Sequence, residues 1–289
     1  MRRPGSGKHG GSSSKPRRVG SRAKDLLKQA LSGPSDSLAK GAKQQDDGRE
    51  RLHKRIAASG LCSRRAAEVL IQEGRVTVNG ELVTEMGLKV SPEDDVRVDG
   101  QEVGIAKLYT LVMNKPLGVV TTLSDPQNRP TVKKYLPDVG VQLKPVGRLD
   151  MDSEGLLLFT NDGDLAQRLM HPRYSVEKEY QVVVQGEPSE KALEKLRKGV
   201  WIPEGGKTSA AKVELTHPAK GAETSVLKVI LHEGRKRQVR LMCEAVGHPV
   251  KSLKRTRIGG LVLRNLPPGA CRMLGKRELD ALRKQVGLD

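Results

Sequence analysis

Residues 144–164 read KPVGRLDMDSEGLLLFTNDGD, and the run Leu156-Leu157-Leu158-Phe159 inside them constrains the fold more than any other stretch. Four consecutive apolar residues closed by Asn161-Asp162-Gly163 predict a buried strand that ends in a turn. Five carboxylates bracket it (Asp150, Asp152, Glu154, Asp162, Asp164) in a chain of formal net charge +18. A carboxylate just ahead of a buried strand is held rigidly. Asp150 is in that position, with Arg148 two residues upstream to neutralise it.

Two readings of these carboxylates come first. A calcium loop needs oxygen ligands at its first, third and fifth positions, glycine at the sixth and glutamate at the twelfth. Asp150, Asp152, Glu154 and Gly155 fit the first half, but the twelfth position is Asn161 and Leu156 to Phe159 cannot be the polar second half. The other reading is a solvated acidic turn before a strand, which the residues alone do not exclude.

The balance of 52 basic against 34 acidic residues predicts a polyanionic partner. No apolar run approaches the length of a spanning helix and no secretory signal is visible, so nucleic acid is expected rather than a membrane. Cys62, Cys243 and Cys271 are odd in number and widely separated, which suggests neither a disulfide framework nor a zinc site and fits a reducing cytosol. The six histidines show no ligand spacing, and no metal is expected. One Trp, four Tyr and one Phe are too few for a sheet that stacks several bases on aromatic rings, so RNA is expected to be gripped by backbone and shape.

Length permits two domains. Residues 1–48, with eleven Lys or Arg against four acids, read as a disordered basic tail, with an organellar transit peptide as a minor alternative. Residues 49–107 read as a small helix–strand domain. Leu52, Ile56 and Ala57 mark one short helix, Ser63 caps a second, and Asn79-Gly80 signals a hairpin. Lys54, Arg55, Arg64 and Arg65 cluster on the helices. From residue 108 onward strands dominate, with helices at Leu165 to Met170, Ser189 to Lys198 and Lys276 to Val286. Strand candidates are Tyr109 to Met113, Val119 to Thr122, Val182 to Val184, Ala211 to Leu215, Val226 to Leu231 and Ile258 to Leu263. The mixture predicts an α+β domain around a mostly antiparallel sheet. Val239, Met242, Cys243 and Val246 recur at helical spacing, with Arg235, Lys236 and Arg237 at the N-terminal turn. Cations there oppose the helix dipole unless an anion arrives, so a phosphate site is expected.

Gly147-Arg148-Leu149-Asp150 followed by Asp152-Ser153-Glu154-Gly155-Leu156-Leu157 resembles the catalytic motif of pseudouridine synthases. The resemblance is greatest to the family that modifies single uridines of ribosomal RNA, whether of the small or of the large ribosomal particle. Asn114-Lys115-Pro116 with Gly118, Glu177-Lys178-Glu179-Tyr180 and Glu233 to Arg240 match further motifs in the family's order, and together they cover most of residues 108–275. Ser63 to Ala67 and Gly74 to Gly80 resemble the RNA-binding module of ribosomal small-subunit protein four.

The resemblance implies a catalytic domain over 108–289 whose sheet is split into two halves by an active-site cleft. It implies Asp150 as the catalytic carboxylate, Arg240 as its partner, and Tyr180 against the target base. Arg148 would support the space left by the flipped nucleotide. Lys115, Arg235, Lys236 and Arg237 would hold phosphates, and Lys54, Arg55, Arg64 and Arg65 would bind RNA. Expected partners are ribosomal RNA or a ribosome-assembly intermediate, with a cytoplasmic monomer and no cofactor. A non-catalytic RNA-binding assembly factor and a metal-dependent phosphoesterase using the carboxylates of 150–164 stay open.

Overall fold

The computed structural model describes residues 48–288 apart from Ile105, Glu204, Lys220 and Ala222. The basic tail expected over residues 1–48, and with it the transit-peptide alternative, lies outside them except for Gly48. Among the described residues no helix is long and apolar enough to cross a membrane.

The N-terminal elements are β1 (Glu50–Arg51), α1 (Leu52–Ala58), α2 (Arg64–Gln72), β2 (Val76–Val78), β3 (Glu81–Val83), β4 (Lys89–Val90), β5 (Val96–Val98) and β6 (Gln101–Glu102). Ser63 Oγ accepts the Ala66 N–H at 3.1 Å and so satisfies one of the free donors at the start of α2. Asn79 (φ 52°) and Gly80 (φ 85°) supply the two left-handed residues that a two-residue hairpin turn between β2 and β3 requires. Leu52, Ile56, Ala67, Ile71, Val76 and Val96 close a separate small core.

The rest of the chain forms β7 (Thr110–Lys115), β8 (Lys144–Val146), β9 (Glu154–Thr160), α3 (Gly163–Met170), β10 (Lys178–Gln185), α4 (Glu190–Lys198), β11 (Trp201–Ile202), β12 (Gly206–Lys207), β13 (Lys212–His217), β14 (Thr224–Leu231), α5 (Gln238–Ala245), β15 (Val250–Ile258), β16 (Leu261–Val262), β17 (Cys271–Met273) and α6 (Lys276–Gln285). Nine strands make one sheet in the order β13-β14-β10-β15-β9-β7-β17, with β16 on β15 and β8 on β9. The small and large domains and the mostly antiparallel sheet are those of the expected α+β class.

The apolar run explains itself in β9. Leu157 and Phe159 enter a core with Tyr180 and with Val239 and Met242 of α5. Leu156 and Leu158 enter a second core with Leu165 and Leu169 of α3 and Leu282 of α6. Successive side chains point to opposite faces, so a strand covered on both sides is apolar at every position. Each such side chain contributes about 1.5–3 kcal/mol of burial.

The sheet divides where β9 meets β15. This is its one parallel pairing among the described residues, and it joins two residue pairs, Lys254 with Glu154 and Arg255 with Gly155. Gly155 (φ 106°) crosses β15 so closely that a Cβ would lie 2.8 Å from the Arg255 nitrogen and nearer still to its carbonyl oxygen. Arg255, 3% exposed, fills the widening gap, and its Nε donates to the Leu156 carbonyl at 2.8 Å.

Two strand expectations fail. Ile258 to Leu263 is not one strand, because Ile258 ends the nine-residue β15 and Gly259-Gly260 turns the chain into β16. Val119 to Thr122 makes only a single bridge, Val120 to Thr131, because its remaining bonds go to the loop beside it.

Candidate active site

The segment joining β8 to β9 carries Asp150, and its backbone is bonded at every carbonyl from 149 to 153. Thr121 Oγ1 donates to Leu149 O at 2.7 Å, and Ser153 N to Asp150 O at 3.0 Å. Gly118 N donates to Met151 O at 2.9 Å, Arg240 Nη2 to Asp152 O at 2.5 Å, and Lys115 Nζ to Ser153 O at 2.7 Å. A loop with no free carbonyl over five residues is immobilised without using its side chains.

The Asp150 carboxylate is left over. It is partly exposed and makes no hydrogen bond or ion pair among the described residues. The expected Arg240–Asp150 pair is not the one formed: Arg240 Nε lies 3.2 Å from Asp152 Oδ2, and Arg237 Nη1 donates to the same oxygen at 3.0 Å. Burial works against ionisation of Asp152, but the two guanidiniums outweigh it and hold the carboxylate below its usual range. Asp152 therefore anchors the loop and leaves Asp150 for other work.

Lys115 is corrected as a phosphate contact. It is 0% exposed, and its ammonium bonds the carbonyls of Pro116 at 2.9 Å and Ser153, out of reach of RNA. Burial pushes the group down to about 8, against the pull of Asp150, Asp152 and Glu154.

Tyr180, 8% exposed, stands in β10 next to a register shift and faces Arg255 across to β15. It shares a core with Leu149, the neighbour of Asp150. Its hydroxyl has no partner among the described residues. Arg255 Nη2 is enclosed and unpartnered, and burial with Arg255 nearby lowers the Lys178 ammonium below its usual range. Arg148 is exposed.

The turn before α5 is corrected in part. The helix starts at Gln238 with Arg237 (φ 53°) as its N-cap, and the anion at this end is the protein's own Asp152. Arg235 is not a free phosphate ligand, because its Nε donates to Glu233 at 3.2 Å and its Nη1 to the Gly205 carbonyl. Lys236 is exposed and Arg237 half-exposed.

In the small domain Arg64 and Arg65 are exposed at the start of α2. Lys54 and Arg55 are not free. Lys54 pairs with Asp164 of α3 at 2.8 Å, and Arg55 bonds the Pro92 carbonyl at 3.1 Å and pairs with Glu50 at 3.6 Å. The carboxylates of 150–164 do not converge as a phosphoesterase would need. Asp152 goes to α5, Asp162 caps α3 and pairs with Arg283, and Asp164 goes to Lys54. Thr121 and Arg255 were not singled out from sequence, and Asp152 was named there as one of the bracketing carboxylates but not as the partner of Arg240.

The family model described as RNA pseudouridylate synthase matches residues 109–245, and that of the S4 domain matches residues 50–96. Ribosomal large subunit pseudouridine synthase B of Bacillus subtilis (strain 168) is 44% identical over 234 residues, which span 81% of this chain and 96% of that protein. The chain belongs to the RNA pseudouridine synthase family. An RNA pseudouridine synthase of Aquifex aeolicus (strain VF5), itself uncharacterised, is 41% identical over 82% of this chain and 95% of its own length. A solved pseudouridylate synthase structure superposes with a TM-score of 0.59 at 30% identity, covering 80% of this chain and 99% of that one. This synthase is thus an RNA-modifying isomerase with an S4 domain ahead of its catalytic sheet.

Proposed function

We propose that the protein converts a specific uridine of ribosomal RNA, in the large subunit, to pseudouridine, with Asp150 as the reacting carboxylate. The observation that carries this reading is the contrast at residues 149–153, where every backbone carbonyl is bonded and the Asp150 carboxylate is not. Immobilised main chain with a free, partly exposed side chain favours chemistry, because only the side-chain rotamer remains to be set when substrate arrives. The ribosomal substrate is supported by the relative from B. subtilis and by the charge of +18. A cytoplasmic monomer is the accompanying expectation.

The reaction breaks the bond from uracil N1 to ribose C1′, turns the base, joins C5 to C1′, and exchanges the C5 proton for one taken up at the freed N1, so that the product is an isomer. A carboxylate beside the ribose serves it either by attacking C1′ as uracil leaves and being displaced when C5 joins, or by taking a ribose proton and then returning it. Tyr180, with its unpartnered hydroxyl at the edge of the same core, lies against the turned base and helps the C5 proton leave. Arg148 fills the stack that the extruded uridine leaves, and Lys236, Arg237, Arg64 and Arg65 meet phosphates. Arg240 acts through Asp152, as a positioning residue.

The test is Asp150→Asn. Because the carboxylate has no hydrogen bond or ion pair to lose, and gives up only its attraction for the buried Lys115 ammonium, stability should stay within about 1 kcal/mol of the parent. RNA affinity should also persist, while pseudouridine in ribosomal RNA, read by mass mapping, disappears. A folded Asp150→Asn protein with normal turnover defeats the assignment, and a wild-type protein that binds ribosomal RNA without converting uridine points to an assembly factor instead.

A further inference from the structure

Trp201, the single tryptophan of the chain, is 74% exposed, more than any other large apolar side chain among the described residues. Its position is built rather than accidental. The next residue, Ile202, is 5% exposed and buried in the main core, so alternation along β11 forces the indole outward. The β11–β12 hairpin is tied down at its base by Thr208 N to Val200 O at 2.9 Å and Val200 N to Thr208 Oγ1 at 3.0 Å. Arg235 Nη1 holds the Gly205 carbonyl near its tip. The indole edge passes over Gly206, 3.5 Å from where a Cβ would stand.

We infer that Trp201 is a stacking platform for an unpaired base of the RNA substrate, flanking the target uridine outside the cleft. The hairpin belongs to the same rim as Asp150: Asp152 binds Arg237, and the turn of Arg235 to Arg237 binds the hairpin. Lys207 faces Trp201 directly across the two strands, and Lys236 is on the neighbouring turn. Both are exposed and without partners among the described residues, so an aromatic face is flanked by free cations on the path of a polyanion. Glu233, which precedes that turn, is occupied by Arg235, Gln238 and the Ser209 N–H. A flat ring between cations suits a nucleobase and its phosphates better than a protein surface. Stacking on it is tolerant of sequence, and the contact of the indole edge over Gly206 limits the side-chain freedom there is to lose.

This inference rests on RNA entering at Asp150, but its test does not need turnover. The full chain is titrated with single-stranded RNA of mixed sequence, about ten nucleotides long, within the site sizes of single-strand binders. Tryptophan fluorescence is read beside the anisotropy of labelled RNA. With one tryptophan the signal has one source, and it should quench along the binding curve. With unmodified ribosomal RNA as substrate, Trp201→Ala should raise KM about tenfold at unchanged kcat. Trp201→Phe should recover most of that loss. RNA binding without any quench, or Trp201→Ala with the parent's KM, overturns the inference. So does quenching that follows protein concentration without RNA, which would assign the face to self-association. If ribosomal RNA is never converted, the functional reading fails while the fluorescence titration still decides this one.

Discussion

Arg240 holds Asp152 twice, through Nη2 to its backbone carbonyl at 2.5 Å and with Nε 3.2 Å from its carboxylate. One guanidinium thus fixes both the main chain and the side chain of the residue two places after Asp150. Removing one partner of a buried pair costs about 3–5 kcal/mol, and the 45% exposure of Asp152 brings the expectation for Arg240→Ala down to about 2 kcal/mol. The larger effect should be on rate. In single-turnover assays Arg240→Ala should lower the chemical rate at least tenfold per folded molecule, with RNA affinity nearly unchanged. A variant slowed only in proportion to its unfolded fraction would reduce Arg240 to a stability residue.

Gly155 tests whether the crossing of β9 and β15 tolerates any side chain. Its φ of 106° strains other residues, and a Cβ would strike the Arg255 backbone. Strain and overpacking each cost about 1–3 kcal/mol, so Gly155→Ala should lose on the order of 3 kcal/mol or more. Gly140 also has positive φ (72°) but open space around it, and Gly140→Ala should lose about 1 kcal/mol. Denaturant unfolding of the two variants checks the difference, and equal losses would mean that the strands can part at the crossing without penalty.

Lys115 gives a pH signature. Its folded ammonium titrates at about 8 against an ordinary 10.5, so between these values the unfolded chain holds the proton and the native protein does not. Stability contributed by this residue therefore rises with pH across that window and is flat below it. The rise should reach about 3 kcal/mol. Lys115→Met should remove this component from the difference between the stability curves at pH 7 and pH 10. A difference that stays level would show that the buried amine keeps its proton throughout.

Much of this was legible because it is local. The both-face burial of β9, the Ser63 cap and the Asn79-Gly80 turn are written in consecutive residues, and so is the Asp150 motif. β15 was hidden because Lys251, Lys254, Arg255 and Arg257 make it read as polar. Arg257 keeps its place in the ladder and turns its side chain to Glu177 and Glu179, and Arg255 is buried only because the sheet splits beside it. The exchange of Asp150 for Asp152 as partner of Arg240 was equally invisible, since the residues that meet are 88 apart in the chain. The motif names the carboxylates of this loop, but their pairing is decided by which carbonyls the loop must satisfy.

The four cations of the S4 domain should separate by the same logic. Arg64 and Arg65 are exposed at the start of α2, whereas Lys54 is paired at 2.8 Å with Asp164 and at 3.7 Å with Glu50. Each phosphate contact releases counterion and adds about 0.7–0.9 to the slope of log affinity against log salt. Replacing Arg64 and Arg65 together by Gln should make that slope shallower by roughly 1.5 and weaken binding to all RNA sequences alike. Lys54→Gln should leave the slope unchanged and instead loosen the contact between the S4 domain and α3, seen as faster amide exchange along Gly163–Met170. Binding measured from low to physiological salt distinguishes the two classes. A full unit of slope lost on Lys54→Gln would mean that RNA displaces Asp164 from this lysine, and the pair would then be a contact made only in the free enzyme.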